Sequence, residues 1–375
     1  MFNKCEEVSG GLTKIATFGP AMTKKLFYIC LLILLCLSSC RSKKQMVNHL
    51  PFPPLPVDSA ALADTIGLPA SLRPLLTFDQ SQLKPVKRRQ ARRRPQKPAE
   101  APRLLAPVVK SGTRITSRTV DVPAGYEGVS RIQIYHVTHR DVPKAFDGFR
   151  MAFVADLHYK SLLKEKGLND VVRLLNAQQA DVLLLGGDYH EGCQYVPPVM
   201  AALGRVKTRL GTYAVLGNND YEACYEEILS EMKRNHIHLL EHRVDTLHLD
   251  GERILLAGVR NPFDLQANGV SPTLTLSPDD FVVLLTHTPD YAEDVPVHHS
   301  DLILSGHTHG GQVTLFGLYA PIVPSRYGQR FLSGLKYNSR KMPIIITNGI
   351  GTSNKAIRMF APAEIVLVVL HRLEP

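Results

Sequence analysis

The chain has 375 residues and a formal net charge of +10 at pH 7, but this charge is concentrated in one segment. Residues 41–115 contain 15 Lys and Arg against 4 Asp and Glu, whereas residues 116–375 are slightly acidic. No recognition module and no alternation of aromatic and basic residues accompanies the basic segment. The sequence therefore does not favour nucleic acid as a partner.

Residues 1–40 are predicted to form an N-terminal extension and a lipoprotein-type signal peptide. Lys24 and Lys25 precede the apolar run Leu26–Leu37, which has the length of a secretory signal and is too short to span a membrane. The following Ser38-Ser39-Cys40 resembles a bacterial lipobox, whose Cys is acylated after cleavage. This resemblance implies a lipid anchor at Cys40 and a location in the bacterial cell envelope, outside the cytoplasm.

Translation is expected to start at Met22 rather than at Met1. Met22 gives a lipoprotein signal of ordinary length, whereas residues 1–21 have mixed charge and no recognisable role. The alternative is that translation starts at Met1 and that the signal peptide functions with a longer charged N-terminal region.

Residues 41–115 are predicted to form a disordered tether. The segment is rich in Pro, as in residues 51–56, and carries the basic run Lys87–Pro95. Such a composition fits a semi-extended chain that has no packed core. Next to a membrane, its positive charge fits anionic lipid headgroups. A solvated spacer without a partner fits the same composition.

Residues 116–375 are predicted to form the catalytic domain, because polar residues follow five apolar runs of strand length. A nearly continuous apolar run indicates a strand covered on both faces. Open α/β sheets build their sites just past the carboxyl ends of such strands. A role in a turn or a helix cap accounts for a single polar patch of this kind. It accounts poorly for five such patches in one chain. The polar residues are Asp156, His158, Asp188, Asn218, His287, His307 and His309.

These residue types are suited to binding divalent metal ions. Carboxylate oxygens and neutral imidazoles bind Mn, Fe, Zn, Co and similar divalent ions, and one carboxylate can bridge two ions. Two ions held ~3.5–4 Å apart polarise a phosphoryl oxygen and supply a bridging hydroxide as nucleophile near neutral pH. The series therefore predicts two divalent metal ions in a phosphoesterase site.

The order of the patches resembles that of the calcineurin-like metallophosphoesterase superfamily, which is D-x-H, G-D, G-N-H-[DE], H and G-H-x-H. The resemblance spans about residues 146–370, and four of the five patches match outright. It implies an α/β fold with a four-layer αββα sandwich, in which two mixed β-sheets are flanked by helices. It also implies two metal sites bridged by Asp188. The ligands would be Asp156, His158 and His309 for the first metal, and Asn218, His287 and His307 for the second.

The third patch departs from the family pattern, because Asn219 stands where the family has His. In many members that His protonates the leaving oxygen or binds the phosphate. The amide of Asn219 can donate a hydrogen bond to a phosphoryl oxygen but cannot deliver a proton. Asp220 is expected to position the loop, and His190 is the nearest candidate acid, although a loop His is more often a bystander. Pyrophosphates and activated diesters, which have good leaving groups, depend least on an acid.

The sequence after the fifth patch is similar to a bacterial subgroup that carries Gly306-His-Thr-His-Gly-Gly-Gln. Its members are typically membrane-associated or exported phosphoesterases, and some act on lipid-linked pyrophosphates. Arg326 is expected either to contact substrate phosphate or to pair with a surface acid. The apolar stretch Leu315–Pro324 is expected either to contact a lipid tail or to pack into the domain, and packing is slightly favoured.

Helical periodicity and two cysteines complete the predicted domain. Apolar spacing predicts helices over Gly167–Gln179 and Ala223–Asn235, and the segments 237–259 and 344–370 are strand-rich. Cys193 and Cys224 each follow a metal-site loop. They form a disulfide in an oxidising envelope or stay as two buried thiols.

These features together predict a membrane-anchored phosphoesterase that hydrolyses a phosphodiester or pyrophosphate bond in a phosphorylated small molecule or a lipid-linked substrate. One alternative is a lipid pyrophosphatase of the UDP-2,3-diacylglucosamine type, which is favoured if Cys40 is not processed. Another is a catalytically weak binding protein of the envelope, suggested by Asn219. No feature of the sequence indicates the oligomeric state.

Overall fold

The computed structural model describes residues 113–260 and 270–374. The predicted signal, Cys40 and residues 41–112 of the predicted tether lie outside the described residues. β1 begins at Arg114, two residues before the predicted start of the domain. In the described ranges, no helix combines the length and the apolar character needed to cross a bilayer.

The described residues form strands that alternate with helices in the first half and follow one another more closely in the second. The strands are β1 (Arg114–Asp121), β2 (Arg131–His139), β3 (Arg150–Val154), β4 (Val182–Leu185), β5 (Thr212–Ala214), β6 (Ile237–Leu239), β7 (Arg243–Leu249), β8 (Glu252–Gly258), β9 (Val282–Leu285), β10 (Leu302–Ser305), β11 (Gly334–Tyr337), β12 (Pro343–Ile346) and β13 (Glu364–Arg372). The helices are α1 (Glu165–Ala177), α2 (Val196–Leu203), α3 (Tyr225–Arg234) and α4 (Asp290–Asp294).

The strands build two mixed sheets. The first has the spatial order β1-β2-β13-β3-β4-β5-β6; β3 to β6 are parallel, and β13 is antiparallel to β3. The second has the order β11-β12-β10-β9-β8-β7; β8, β9, β10 and β12 are parallel. In each sheet, the carboxyl ends of the central parallel strands therefore meet at one edge.

The two sheets pack face to face because each buries apolar side chains on both faces. Along β3, Phe153 lies in the core between the sheets, whereas Ala152 and Val154 lie in the core beneath α1, α2 and α3. On β9, Leu285 faces the first sheet and Leu284 faces outward, toward Tyr291 of α4. This alternation is expected of strands covered on both sides.

The predicted fold, with two mixed sheets flanked by helices, is confirmed. α1 and α3 overlap the two predicted helices, with ends shifted by about two residues. The sequence pattern does not predict α2, because Pro197 and Pro198 read as a turn. They occupy the first turn of α2, where helical N–H groups have no partner in the helix and Pro is tolerated.

Candidate metal centre

The five predicted patches meet at the edge where the parallel strands end. Loops after β3, β4 and β5 come from the first sheet, and loops after β9 and β10 come from the second. Backbone hydrogen bonds join neighbouring loops: Asp156 N–H donates to Gly187 O at 2.9 Å, and His158 N–H donates to Asp188 O at 3.0 Å. The edge therefore presents one continuous rim of polar side chains.

Two groups of side chains at this rim place one ligand atom per residue within 4.8 Å of one another. The first group is buried, and the second is buried apart from His307. The groups are Asp156, His158 and His309, and Asp188, His287 and His307.

Asp188 lies between the two groups. Its Oδ2 atom is 3.4 Å from Nε2 of His158, in the first group, and 3.5 Å from Nε2 of His287, in the second. Such a position suits a carboxylate shared by two ions, and bridging by Asp188 is retained as a proposal.

The backbone at this rim adopts conformations that the sequence does not signal. Non-glycine residues with positive φ are uncommon and cluster at functional sites. Five of the seven predicted metal ligands have them: Asp156 (φ 51°), His158 (φ 40°), Asp188 (φ 57°), His307 (φ 69°) and His309 (φ 54°).

Two glycines allow the loops to approach this closely. A Cβ atom at Gly217 would overlap Oδ1 of Asp188, and one at Gly306 would overlap Oδ2 of Asp156. Both positions therefore require glycine if the carboxylates are to keep their places.

Hydrogen bonds fix the imidazole orientations of two predicted ligands. Nδ1 of His287 donates to Gly186 O at 2.7 Å, and Nδ1 of His158 donates to a carboxylate oxygen of Glu191 at 2.6 Å. In both rings Nε2 then faces Asp188. An acceptor for the ring N–H that points away from the metal fixes the tautomer of a metal-ligating His.

Burial and charge set the ionisation of the rim. Burial lowers the pKa of His158, but Asp188 and Glu191 outweigh burial and raise it to about 10. Burial lowers the pKa of His307 to about 3 and holds that of His309 well below its ordinary value. His307 and His309 are therefore neutral at physiological pH and ready to bind a metal ion, whereas His158 would release a proton on binding one.

The residues present fit divalent metal ions. Oδ1 of Asn218 is buried and accepts no hydrogen bond within the described part of the chain, although a buried amide oxygen normally has a partner. Nδ1 of His307 lies 3.2 Å from Nε2 of His287. Converging oxygen and nitrogen donors suit Mn, Fe, Zn or Co.

Asp220 holds the β4 and β5 loops together. Its two carboxylate oxygens accept three backbone N–H groups, from Gly217 (2.8 Å), Asp188 (2.7 Å) and Tyr189 (3.1 Å). Asp220 is fully buried. The predicted positioning role of Asp220 agrees with these contacts, which reach the predicted bridging residue itself.

The side chain of Asn219 lies at the rim. Its backbone N–H donates to Oδ1 of Asp188 at 3.0 Å, and its Oδ1 accepts from the amide of Asn218 at 2.8 Å. Its Nδ2 lies 3.4 Å from Nδ1 of His158. Phosphate binding by Asn219 remains a prediction.

His190, the candidate acid, is buried beside Asp220. Its Nδ1 accepts a hydrogen bond from the N–H of Gly192 at 3.0 Å, and its Nε2 lies 3.8 Å from Oδ1 of Asp220. Burial lowers its pKa, so the ring is neutral and its proton lies on Nε2. Proton donation by His190 to a leaving group remains a prediction.

Arg326 is exposed and forms an ion pair with Asp294 of α4. Its backbone N–H donates to Oδ2 of Asp290 at 2.8 Å. The alternative of pairing with a surface acid is therefore realised, and a substrate contact by Arg326 remains a prediction.

Glu191 is a site residue that sequence reasoning missed. It orients His158 from a loop position with no fixed spacing to that His, so only the folded chain brings them together. Replacing Glu191 with Gln is expected to weaken Mn²⁺ binding roughly 10- to 100-fold, because residues that hydrogen-bond a metal-ligating His have effects of that size. Isothermal titration of the metal-free chain with Mn²⁺ measures the change.

Glu226→Gln is the matched control, because Glu226 is an exposed glutamate on α3. Its Mn²⁺ affinity is expected to equal that of the parent chain. Equal affinities for the Glu191 variant and the control would contradict the proposed role of Glu191.

Arg358 is a second residue that the sequence did not indicate. Its buried guanidinium donates to four backbone carbonyl oxygens around the rim, one of them belonging to His309 (3.1 Å). Burial lowers its pKa to about 10, so it stays charged at neutral pH. Because all its contacts are to backbone, Arg358 fixes the loops.

Cys193 and Cys224 form a disulfide, with Cα atoms 5.2 Å apart. The bond joins the loop that carries Glu191 to the start of α3, just after the Asn218–Asp220 segment. Of the two alternatives for these cysteines, the structure shows the pair.

Comparisons with known proteins agree with this geometry. Residues 149–311 match the family model described as calcineurin-like phosphoesterase. An uncharacterized metallophosphoesterase of Helicobacter pylori is 31% identical over 252 residues, which cover 65% of this chain and 65% of that protein. A Danio rerio transmembrane protein with a metallophosphoesterase domain is 26% identical over 248 residues, which cover 62% of this chain and 55% of that protein.

A solved structure, the NAD nucleotidase of Haemophilus influenzae, superposes with a TM-score of 0.39 at 17% identity, over 54% of this chain and 45% of that one. This likeness is too weak to carry an argument. The family model and the relatives agree with the predicted resemblance to calcineurin-like metallophosphoesterases and with the prediction of a metal-dependent phosphoester hydrolase.

Proposed function

We propose that this protein is a two-metal phosphoesterase that hydrolyses a phosphodiester or pyrophosphate bond. The observation that carries the proposal is the position of Asp188 Oδ2, which lies 3.4 Å from His158 of the first ligand group and 3.5 Å from His287 of the second. When bound, two divalent ions would supply Lewis acidity toward a phosphoryl oxygen and a water activated near neutral pH. Asp156, His158 and His309 would hold one ion, and Asn218, His287 and His307 the other.

The chain's own residues set the geometry of the reaction. Asp220 fixes the β4 and β5 loops through three hydrogen bonds, and Glu191 fixes His158. The amide of Asn219 stands beside both groups, where it would donate to a phosphoryl oxygen. Such prearranged donors stabilise charge as it develops in the transition state.

The substrate class follows from what Asn219 cannot do. Hydrolysis adds water to phosphorus and breaks the bond to the leaving oxygen, which takes up a proton unless it is a weak base. An amide supplies no proton. We therefore propose substrates whose leaving group is itself a phosphate or another stable anion, as in pyrophosphates and activated diesters.

Hydrolysis of bis(p-nitrophenyl) phosphate and p-nitrophenyl phosphate by the full chain with Mn²⁺ tests this proposal. Diester turnover that exceeds monoester turnover supports it, because both esters release p-nitrophenolate and the difference therefore reports a preference for the diester bond. Absence of turnover for both esters, in protein shown to bind Mn²⁺, would contradict it.

Replacing Asn219 with His is expected to broaden the range of leaving groups. For a diester with a poor phenol leaving group, we expect turnover to rise roughly 10²-fold, because a general acid contributes about 10²- to 10⁴-fold. For the p-nitrophenyl diester, which needs no acid, turnover should change little. Steady-state rates on the two diesters measure the ratio, and an unchanged ratio would contradict the assigned role of position 219.

The location is also a proposal. We infer that acylation at Cys40 would anchor the chain at a membrane of the bacterial envelope, with the basic tether beside anionic headgroups. Labelling of the full chain with a radioactive fatty acid, compared with Cys40→Ser, tests the anchor. Equal labelling of the two chains would overturn it.

A further inference from the structure

Exposed apolar side chains are concentrated in two loops next to the metal centre. Seven of the thirteen large apolar residues that are exposed in the described ranges belong to these loops. The most exposed are Leu318 (84%), Phe316 (69%), Ile322 (62%) and Phe360 (55%). We call this set the loop patch: Leu315, Phe316, Leu318, Tyr319, Ile322, Ile357 and Phe360.

This exposure differs from the packing that the sequence favoured for Leu315–Pro324. Ala320 is buried within this stretch, but the large side chains around it face outward. Large contiguous apolar patches are uncommon on soluble monomers and mark surfaces that contact a partner or a membrane.

The loop patch is held in place rather than loosely attached. Thr314 N–H donates to Met359 O at 2.9 Å, and Met359 N–H donates to Gln312 O at 2.7 Å. The rings of Phe316 and Phe360 lie 5.3 Å apart. The first loop follows His309 directly, so the patch is fixed beside the ligand-bearing rim.

The charges around the loop patch favour an anionic partner. Residues 311–337 and 348–362, which contain the patch, hold five Lys and Arg and no Asp or Glu. Arg326 and Arg330 pair with acids of α4, and the half-buried Arg358 donates to backbone oxygens. Lys355 is exposed in the second loop of the patch.

A cavity adjoins the loop patch and has an apolar wall. Its volume is about 410 Å³, and Phe360 belongs both to the patch and to the cavity lining. Leu162, Leu163 and Ile350 also line it. The backbone N–H of Ile350 donates to Asp156 O at 3.3 Å, so the cavity lies against a loop that carries a predicted metal ligand.

We propose that the loop patch is a membrane-docking surface that inserts into the headgroup region of an anionic phospholipid bilayer. Exposed apolar side chains beside an exposed Lys, in loops that carry no acid, suit such an interface. The number of residues between Cys40 and the described part is sufficient to permit docking: 72 residues separate them, and the predicted tether would span roughly 45 Å if it behaves as a random coil. The inference rests on the proposed membrane anchoring, not on the proposed chemistry.

The test exploits the absence of Trp from the chain. Leu318→Trp places one fluorophore in the patch of the full chain. Leu373→Trp is the control, because Leu373 is also exposed and lies at the opposite edge, where its N–H bonds His139 at the end of β2. Both variants are mixed with vesicles of equal parts phosphatidylglycerol and phosphatidylcholine, with or without brominated acyl chains, and sedimented.

Docking predicts that the emission of the pelleted Leu318→Trp chain moves to shorter wavelength and loses roughly half its intensity to brominated lipid, because interfacial insertion reaches about 5–10 Å into the acyl boundary. The Leu373→Trp chain should pellet to the same extent, and its emission with vesicles should equal its emission in buffer alone.

The proposal is overturned if both chains stay in the supernatant, or if both pellet with unchanged emission. A shift that grows with protein concentration without vesicles would also overturn it, by assigning the patch to a second copy. Hydrolysis of p-nitrophenyl esters, measured on the same samples, reports separately on the proposed function.

Discussion

Asp188→Asn is expected to reduce phosphoester hydrolysis roughly 10³-fold or more. Metal-derived charge stabilisation is worth several kcal/mol, and about 1.4 kcal/mol corresponds to a tenfold change in rate. Asn keeps the size of Asp188 but removes the negative charge that lies 3.4–3.5 Å from His158 and His287. Steady-state turnover of bis(p-nitrophenyl) phosphate with saturating Mn²⁺ measures the loss.

Asp279→Asn is the matched control, because Asp279 is exposed in a surface turn. Its turnover should equal that of the parent chain. Mn²⁺ should also raise the melting temperature of the parent and of this control more than that of Asp188→Asn, because a ligand that binds only the folded state stabilises it. Undiminished turnover in Asp188→Asn would remove the basis for a shared carboxylate.

Asp220→Ala is expected to lower the free energy of unfolding by about 3–9 kcal/mol, because it leaves three buried N–H groups without acceptors at about 1–3 kcal/mol each. These groups belong to Gly217, Asp188 and Tyr189. The loss is a large fraction of the stability of a typical domain. Urea unfolding followed by circular dichroism measures it.

Asp279→Ala again serves as the control and should change the free energy of unfolding little, since its side chain is exposed. If Asp220→Ala unfolded at the same urea concentration as this control, the loops would be held by other contacts. The hydrogen bonds to Asp220 would then be incidental to the position of Asp188.

The sequence predicts the rim of the site because metal-ligating residue types occur there at the ends of predicted strands. A short apolar run followed by Asp or His marks a strand end, and parallel strands bring their carboxyl ends to one edge. All five predicted patches reach this edge, although they span residues 156–309. The two helices with clear apolar spacing, α1 and α3, are predicted for a similar reason, since their periodicity is local.

Residues that act through tertiary contacts carry no such local signal. Glu191 contacts His158 across a separation of 33 residues, and Arg358 reaches His309 across 49. In the sequence, a Glu or an Arg that supports the site looks the same as one that is merely exposed to solvent. The positive φ angles of the ligands are also invisible there, because Asp and His adopt them only where the surrounding structure holds them.

The structure shows what the replacement of His by Asn at position 219 preserves and what it removes. The Asn219 side chain is tied to Asn218, and its backbone N–H is tied to Asp188. The position therefore keeps the geometry of the metal loop while losing an ionisable group. This combination favours a specialised substrate over an inactive site, and it is the reason for choosing diesters as the first test.

Anomalous diffraction from crystals of the full chain grown with Mn²⁺ tests the central proposal most directly. Two peaks about 3.5–4 Å apart, with Asp188 between them, are the predicted result. One peak should contact Asp156, His158 and His309, and the other Asn218, His287 and His307. A single peak, or two peaks that do not share Asp188, would contradict the two-metal account.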